Sequence, residues 1–333
     1  MKEIFTGTAY ARAGLLGNPS DGYFGKTLAV SIRNFHALAE IRESRKVVIK
    51  ASEKELPVYP DFPSLIEDIK TYGYYGGVRL IKAALKKFYE YSLEKRYHLR
   101  DRKFTISYHS NIPRQLGMGG SSAIITAALR ALMDFYKVKI PLKILPSIIL
   151  ETESQELGIN AGFMDRVIQV YEGCVYMDLD RKIINSKGHG VYEKMDPRLL
   201  PPLYLAYKTS LGKVSGSVLN DIRLGYERKD RLTLETLERI AEKAQRGKEA
   251  LEKKDHQLLK KLMDENFDLR SRIMKISQPD REMIETARRC GASAKFAGSG
   301  GAIIGLYEGE DTFQKIKQEM EKIQVKVIKP IIE

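Results

Sequence analysis

The sequence predicts an α+β chain folded as two lobes. Three observations carry the prediction. Short Thr/Ala/Val/Ile-rich runs divided by turn residues fill the first fifty positions, long amphipathic patterns dominate the last third, and a Gly/Pro-rich stretch from Lys187 to Pro202 lies between. A length of 333 residues suits two domains with their own cores, and the break is expected to divide lobes 1–195 and 196–333.

Ile4 to Ala13, Thr27 to Ile32, Ala37 to Ile41 and Lys46 to Ala51 read as short strands of an antiparallel sheet. Val78, Leu80, Ile81, Leu85, Phe88 and Tyr89 recur at three- and four-residue spacing, predicting a helix from Gly76-Gly77 to about Tyr97. Phe104 to His109 alternates as a strand. Helices are expected over Ser121 to Tyr136, Pro141 to Leu157 and Gly162 to Tyr171, then a strand from Cys174 to Asp180. Beyond the break, Leu203 to Tyr207 reads as a strand, and Leu234 to Leu251, His256 to Ile276 and Arg281 to Cys290 as helices. An apolar strand from Ala302 to Tyr307, a helix and a final strand from Val325 to Ile331 complete the chain.

Composition excludes several function classes. No apolar N-terminal segment and no uninterrupted greasy stretch is present, so neither a signal peptide nor a membrane span is expected. Cys174 and Cys290 lie in no paired-thiol or zinc spacing, which fits a reducing cytoplasm. The net charge of +13 raises nucleic acid as a partner. Between Asp221 and Asp280, however, fifteen basic residues face thirteen acidic ones, a solvated helix pattern, and the excess gathers at Lys82 to Lys103, eight against three.

The informative loop is Pro113-Arg-Gln-Leu-Gly-Met-Gly-Gly-Ser-Ser-Ala123, which runs straight into a helix. Its glycines let backbone approach a ligand, and the free N–H groups and positive dipole end of the helix suit a phosphate. A plain glycine turn with serine caps is the alternative. A dinucleotide fingerprint fails because Ser122 stands where glycine is required. Ser20 to Thr27 fails as a P-loop because position 20 is not glycine and a strand comes next. Glu153 and Asp165 flank a Gly158–Gly162 turn, so chain reversal can gather one carboxylate for magnesium and another for an acceptor hydroxyl; both can equally be surface carboxylates. Arg12 is a charge in an apolar strand-like run and needs a partner. Asp21 either binds sugar hydroxyls or closes an Asx turn.

Together with a second glycine loop, Lys295-Phe-Ala-Gly-Ser-Gly-Gly301, these segments in this order resemble the GHMP small-molecule kinases, among them galactokinase, homoserine, mevalonate and phosphomevalonate kinases. The longer strings Ala11-Arg-Ala-Gly-Leu-Leu-Gly-Asn-Pro-Ser-Asp21, Gly73-Tyr-Tyr-Gly-Gly-Val-Arg-Leu80, Asn111-Ile-Pro-Arg-Gln115 and Lys295-Phe are similar to the glucuronokinase branch of sugar-1-kinases. The resemblance implies a ribosomal-protein-like N-terminal lobe and a ferredoxin-like C-terminal lobe. It implies Asp165 as catalytic base with Arg12 beside it, and magnesium held by Glu153 and Ser121. ATP would lie along Pro113, Gly117, Met118, Gly119, Gly120, Ser121 and Ser122, supported by Gly298, Ser299 and Gly300. Asp21 and Arg166 would meet the sugar, with Arg79, Arg114 and Arg166 as candidate readers of an acceptor carboxylate. Gly120 departs from a frequent serine, leaving metal ligation more to Ser121.

The expected activity is ATP- and magnesium-dependent phosphorylation of a sugar hydroxyl, the anomeric one of D-glucuronate first. Another sugar, a mevalonate-like alcohol or a catalytically silent sugar sensor on the same lobes are the alternatives. The partners expected are a small-molecule sugar and a nucleotide, with no nucleic acid and no membrane, in a cytoplasmic monomer or homodimer.

Overall fold

The computed structural model describes residues 3–51, 76–99, 102–209 and 220–333. Residues 73–75 of the quoted glycine-tyrosine string lie outside them.

Two long antiparallel strands, β1 (Ile4–Leu16) and β2 (Lys26–Ser44), form the spine of the first sheet. The sequence predicts two short strands where β2 is one. Register passes from Tyr10↔His36 to Ala11↔Ile32, so Arg33, Asn34 and Phe35 bulge out of a continuous strand instead of turning it. The bulge receives the chain end: Ile331 N–H donates to Asn34 Oδ1 at 2.8 Å, and Arg33 N–H donates to the Ile331 carbonyl at 2.9 Å. Strand β3 (Val48–Lys50) runs parallel to β4 (Lys103–Ser110), which pairs with the C-terminal half of β2. Strand β5 (Cys174–Asp178) pairs with its N-terminal half and carries β6 (Val191–Met195) at its edge. The sequence shows no strand at β6 because four of its five residues face solvent at least in part, which erases the apolar alternation.

A second, four-stranded antiparallel sheet has the order β10 (Lys326–Ile328), β7 (Leu203–Tyr207), β9 (Ala302–Leu306), β8 (Lys295–Phe296). Along β7, Leu203, Leu205 and Tyr207 join the larger apolar cluster with the first sheet, while Tyr204 and Ala206 face a second cluster with Ile303, Phe313 and Ile316. Alternation thus buries this strand on both faces.

The helices fall into two sets. Helix α1 (Gly77–Glu94) and the alanine-rich α2 (Gly120–Tyr136) cover the first sheet. A methyl group on Gly7 of β1 would lie 2.1 Å from the Ala127 carbonyl, so helix and strand touch backbone to backbone. The expected helix from Pro141 to Leu157 is instead α3 (Leu145–Glu151) followed by a π turn, Thr152–Glu156. Then come α4 (Phe163–Tyr171) and α5 (Arg181–Lys187). Helices α6 (Asn220–Glu227), α7 (Arg231–Glu252), α8 (His256–Arg270), α9 (Gln278–Arg289) and α10 (Gly309–Lys322) belong to the second half. No helix among the described residues is long and apolar enough to cross a membrane.

Candidate active site

Arg12 leaves the middle of β1 almost wholly buried, and its guanidinium is the hub of the site. Nε and Nη2 donate to the two oxygens of Asp165, at 2.6 and 2.7 Å, in a bidentate fork. Nη1 donates to the Gly117 carbonyl and, at 3.2 Å, to the Ala297 carbonyl. One side chain therefore fastens the first turn of α4 to both glycine loops.

The loops also fasten to each other. A methyl group on Gly298 would meet the Gly117 carbonyl at 2.0 Å, and one on Gly117 would meet the Ser299 nitrogen at 2.5 Å. Gly119 adopts a left-handed backbone at φ 75° and caps α2 with no side-chain hydrogen bond. Its carbonyl accepts from Gln169 Nε2 at 2.7 Å and from the Ser122 hydroxyl at 3.1 Å. A Cβ at Gly119 would lie 3.4 Å from Asp165 Oδ2. Asp165 thus lies beside the loop that opens α2. The start of α2 offers its backbone N–H groups to an anion there, with Ser121 half-exposed and Ser122 buried. Met118 contributes backbone: its side chain packs in the core and its carbonyl accepts from Arg12 N–H at 3.2 Å. Pro113 and Gly120 lie half-buried on the same loop. Gly300, in the facing loop, has φ 137°, and Asp280 Oδ1 holds the adjoining Gly301 N–H at 2.9 Å.

A second ionic pair lies beneath. The π turn places Glu153 in the interior, where it pairs with buried Arg166. Arg166 Nη1 also donates to the Gly162 carbonyl at 2.8 Å and approaches Asp165 to 3.6 Å. Asp21 accepts from the Met164 N–H at 3.2 Å, and Gly162 must lack a side chain because a methyl there would strike Asp21 Oδ2. Of the other arginines, Arg79 reaches the Leu157 carbonyl and Arg114 is exposed.

Burial and neighbouring charges separate the three carboxylates. Burial alone would raise the Asp165 pKa, but Arg12 and Arg166 outweigh it and hold the group below the usual carboxylate range. Burial raises Asp21, and the charge of Asp165 raises it further. Glu153 is also raised by burial, against the pull of Arg166.

Residues to which the sequence assigns no role complete the frame. Lys295, wholly buried, donates to the Gly14 carbonyl at 2.6 Å, Asn18 Oδ1 at 2.6 Å and the Phe296 carbonyl at 2.8 Å. Asn266 accepts from Gly17 N–H at 2.7 Å and donates to the Asn18 carbonyl at 3.2 Å. Both clamp the loop before Asp21 from the second half of the chain. A signal for Asn266 exists: α8 buries Leu259, Leu262, Met263, Asn266, Phe267 and Arg270, so two polar residues occupy apolar positions of one helical face.

Magnesium on nucleotides takes one or two protein oxygens and completes its shell with phosphates and water. The Ser121 hydroxyl and the Glu153 carboxylate are donors of that class, and the carboxylate is engaged by Arg166.

Known proteins resemble this chain in sequence and in fold. The family described as GHMP kinases N terminal domain matches residues 79–173, and that described as GHMP kinases C terminal matches residues 248–326. The chain is 42% identical to the probable glucuronokinase 2 of Arabidopsis thaliana over 327 residues, 96% of this chain and 89% of that protein. It is 41% identical to glucuronokinase 1 of the same plant over 321 residues, 94% of this chain and 88% of the other. Galactokinase of Lactococcus lactis, solved in complex with galactose, superposes with a TM-score of 0.78 at 14% identity, covering 99% of this chain and 94% of that one. Two ordered domain matches and identity along nearly the whole length lead to one conclusion: the chain belongs to the GHMP kinase family.

Proposed function

We propose that this enzyme transfers the γ-phosphoryl group of ATP to the anomeric hydroxyl of D-glucuronate. The observation that carries the reading is the bidentate Arg12–Asp165 pair set against the open end of α2, in a chain similar over 96% of its length to a glucuronokinase. Lobes 1–195 and 196–333 supply opposite sides of the cleft. The Gly117–Ser122 loop takes the triphosphate on backbone N–H groups, while Gly298, Ser299 and Gly300 hold that loop in place. Asp21 and Arg166 border the acceptor. Magnesium, held by Glu153 and Ser121, would neutralise charge between the phosphates.

Asp165 is ionised at neutral pH and forked onto Arg12, so it is a weak base. Such a carboxylate orients the attacking hydroxyl and accepts its proton late, as bond breaking at phosphorus runs ahead. Arg12 keeps the carboxylate in register and lends positive charge beside the moving group. The enzyme acts in the cytoplasm, where Cys174 and Cys290, both buried and unpaired, stay reduced.

An ADP-release assay across glucuronate, glucose, galactose and mevalonate tests the reading. Turnover is expected with glucuronate foremost. Asp165→Asn should keep nucleotide binding and lose about 10²- to 10⁴-fold in kcat. ADP release led by another acceptor, release with none, or a near-wild-type Asp165→Asn would overturn it.

A further inference from the structure

Among the described residues four basic side chains are buried: Arg12, Arg166, Lys295 and Arg270. Arg12 is committed to Asp165 and Arg166 to Glu153. Lys295 has three N–H donors and three acceptors, all of them uncharged. Arg270 differs. It is 2% exposed, its Nη1 donates to the Gly298 carbonyl at 2.6 Å, and its Nε meets only the Met274 sulfur at 3.1 Å. Among the described residues no carboxylate lies within ion-pairing distance, and Nη2 has no hydrogen-bond partner although it is not sealed from solvent. The face of Phe296 lies 5.3 Å beneath the guanidinium, a weak substitute for an anion. Burying a guanidinium without a counter-charge is costly.

Its position selects the ligand. The Gly298 carbonyl ties Arg270 to the loop whose other side touches Arg12, and the charge of Asp21 acts on it more strongly than that of Asp280 beside Gly301. Burial, with no ion-paired partner, lowers its pKa to about 10, still charged at neutral pH. We propose that Arg270 reads the carboxylate of the acceptor, through the N–H donors of Nη2, while the hydroxyl at the other end of the sugar faces Asp165. This rests on the proposed function, in which the acceptor is a uronate, and it assigns the carboxylate to a residue other than Arg79, Arg114 or Arg166. Neutral hexoses would leave Nη2 unpaired in a closed site, a source of strong discrimination.

The test is the ratio of kcat/KM for glucuronate to that for glucose, in wild type and Arg270→Gln, with the KM for ATP and the thermal midpoint measured alongside. A fall in the ratio of roughly 10- to 100-fold, the span of a hydrogen bond to a charged group, supports the assignment. An unchanged ratio overturns it, as does a parallel fall for both sugars and ATP, which marks a purely structural arginine. Arg270→Lys keeps a cation with a different donor geometry; if Arg270→Gln does not fold, the same ratio in Arg270→Lys decides, falling if the fork matters and constant if not. Wild-type release of ADP with glucose and not with glucuronate, or with neither, overturns the acceptor reading itself and the subsite with it.

Discussion

At the scale of single residues, the site divides its carboxylates by environment. Asp165 is pulled down by two guanidinium groups, so its favourable contribution to folding is present above the ordinary carboxylate pKa and lost as pH falls through its depressed value. Asp21 has the opposite sign. Its folded pKa is raised by burial and by Asp165, so the native state becomes less stable as pH rises from the ordinary value through the raised one. The cost is complete only above the raised value. Asp21→Asn should therefore stabilise the fold at pH 7, by roughly 1 kcal/mol, while impairing acceptor use, the usual exchange between a functional charge and stability. Thermal midpoints at pH 7 and near pH 4 check this: the variant's advantage should narrow at the lower pH, and an advantage that is absent or grows on acidification contradicts it.

At the scale of elements, two glycine loops and a helix end make the cup because backbone approaches backbone where no side chain fits. Gly298 shows this most sharply, with the Gly117 carbonyl and Arg12 Nη1 both inside the space of a methyl group. Gly298→Ala should separate the loops, destabilise the fold by about 1–3 kcal/mol, and weaken nucleotide binding. A calorimetric titration with a non-hydrolysable nucleotide checks the second effect, and unaltered affinity would contradict it. Much of this was legible in the sequence: the spacing of Gly117, Gly119 and Gly120 before a helix, the charge of Arg12 in an apolar strand, and Asp165 beyond a glycine turn. Three features were not. The π turn at Thr152–Glu156 adds a residue to a helical period without a sequence mark, yet it is what turns Glu153 inward. The β2 bulge looked like a turn because Arg33-Asn34 breaks the apolar run. Arg270 looked like one more charge on a mixed-charge helix until packing showed which face of α8 is buried.

At the scale of the whole molecule, both halves complete one site. Asn266 and Lys295 hold the loop that carries Asp21, Arg12 reaches across to Ala297, and one apolar cluster joins the first sheet to Leu203, Leu205, Leu259 and Ile304. With core and site shared, heat should unfold the chain in a single calorimetric transition; two resolved peaks would contradict the shared core. The most direct test of the central claim tracks phosphorus itself. In a ³¹P NMR time course with wild-type enzyme, magnesium, ATP and D-glucuronate, the γ-phosphate signal should decline as a resonance coupled to the anomeric proton grows in equal amount. Growth of inorganic phosphate alone, a phosphate coupled to another sugar position, or an unchanged spectrum would contradict it.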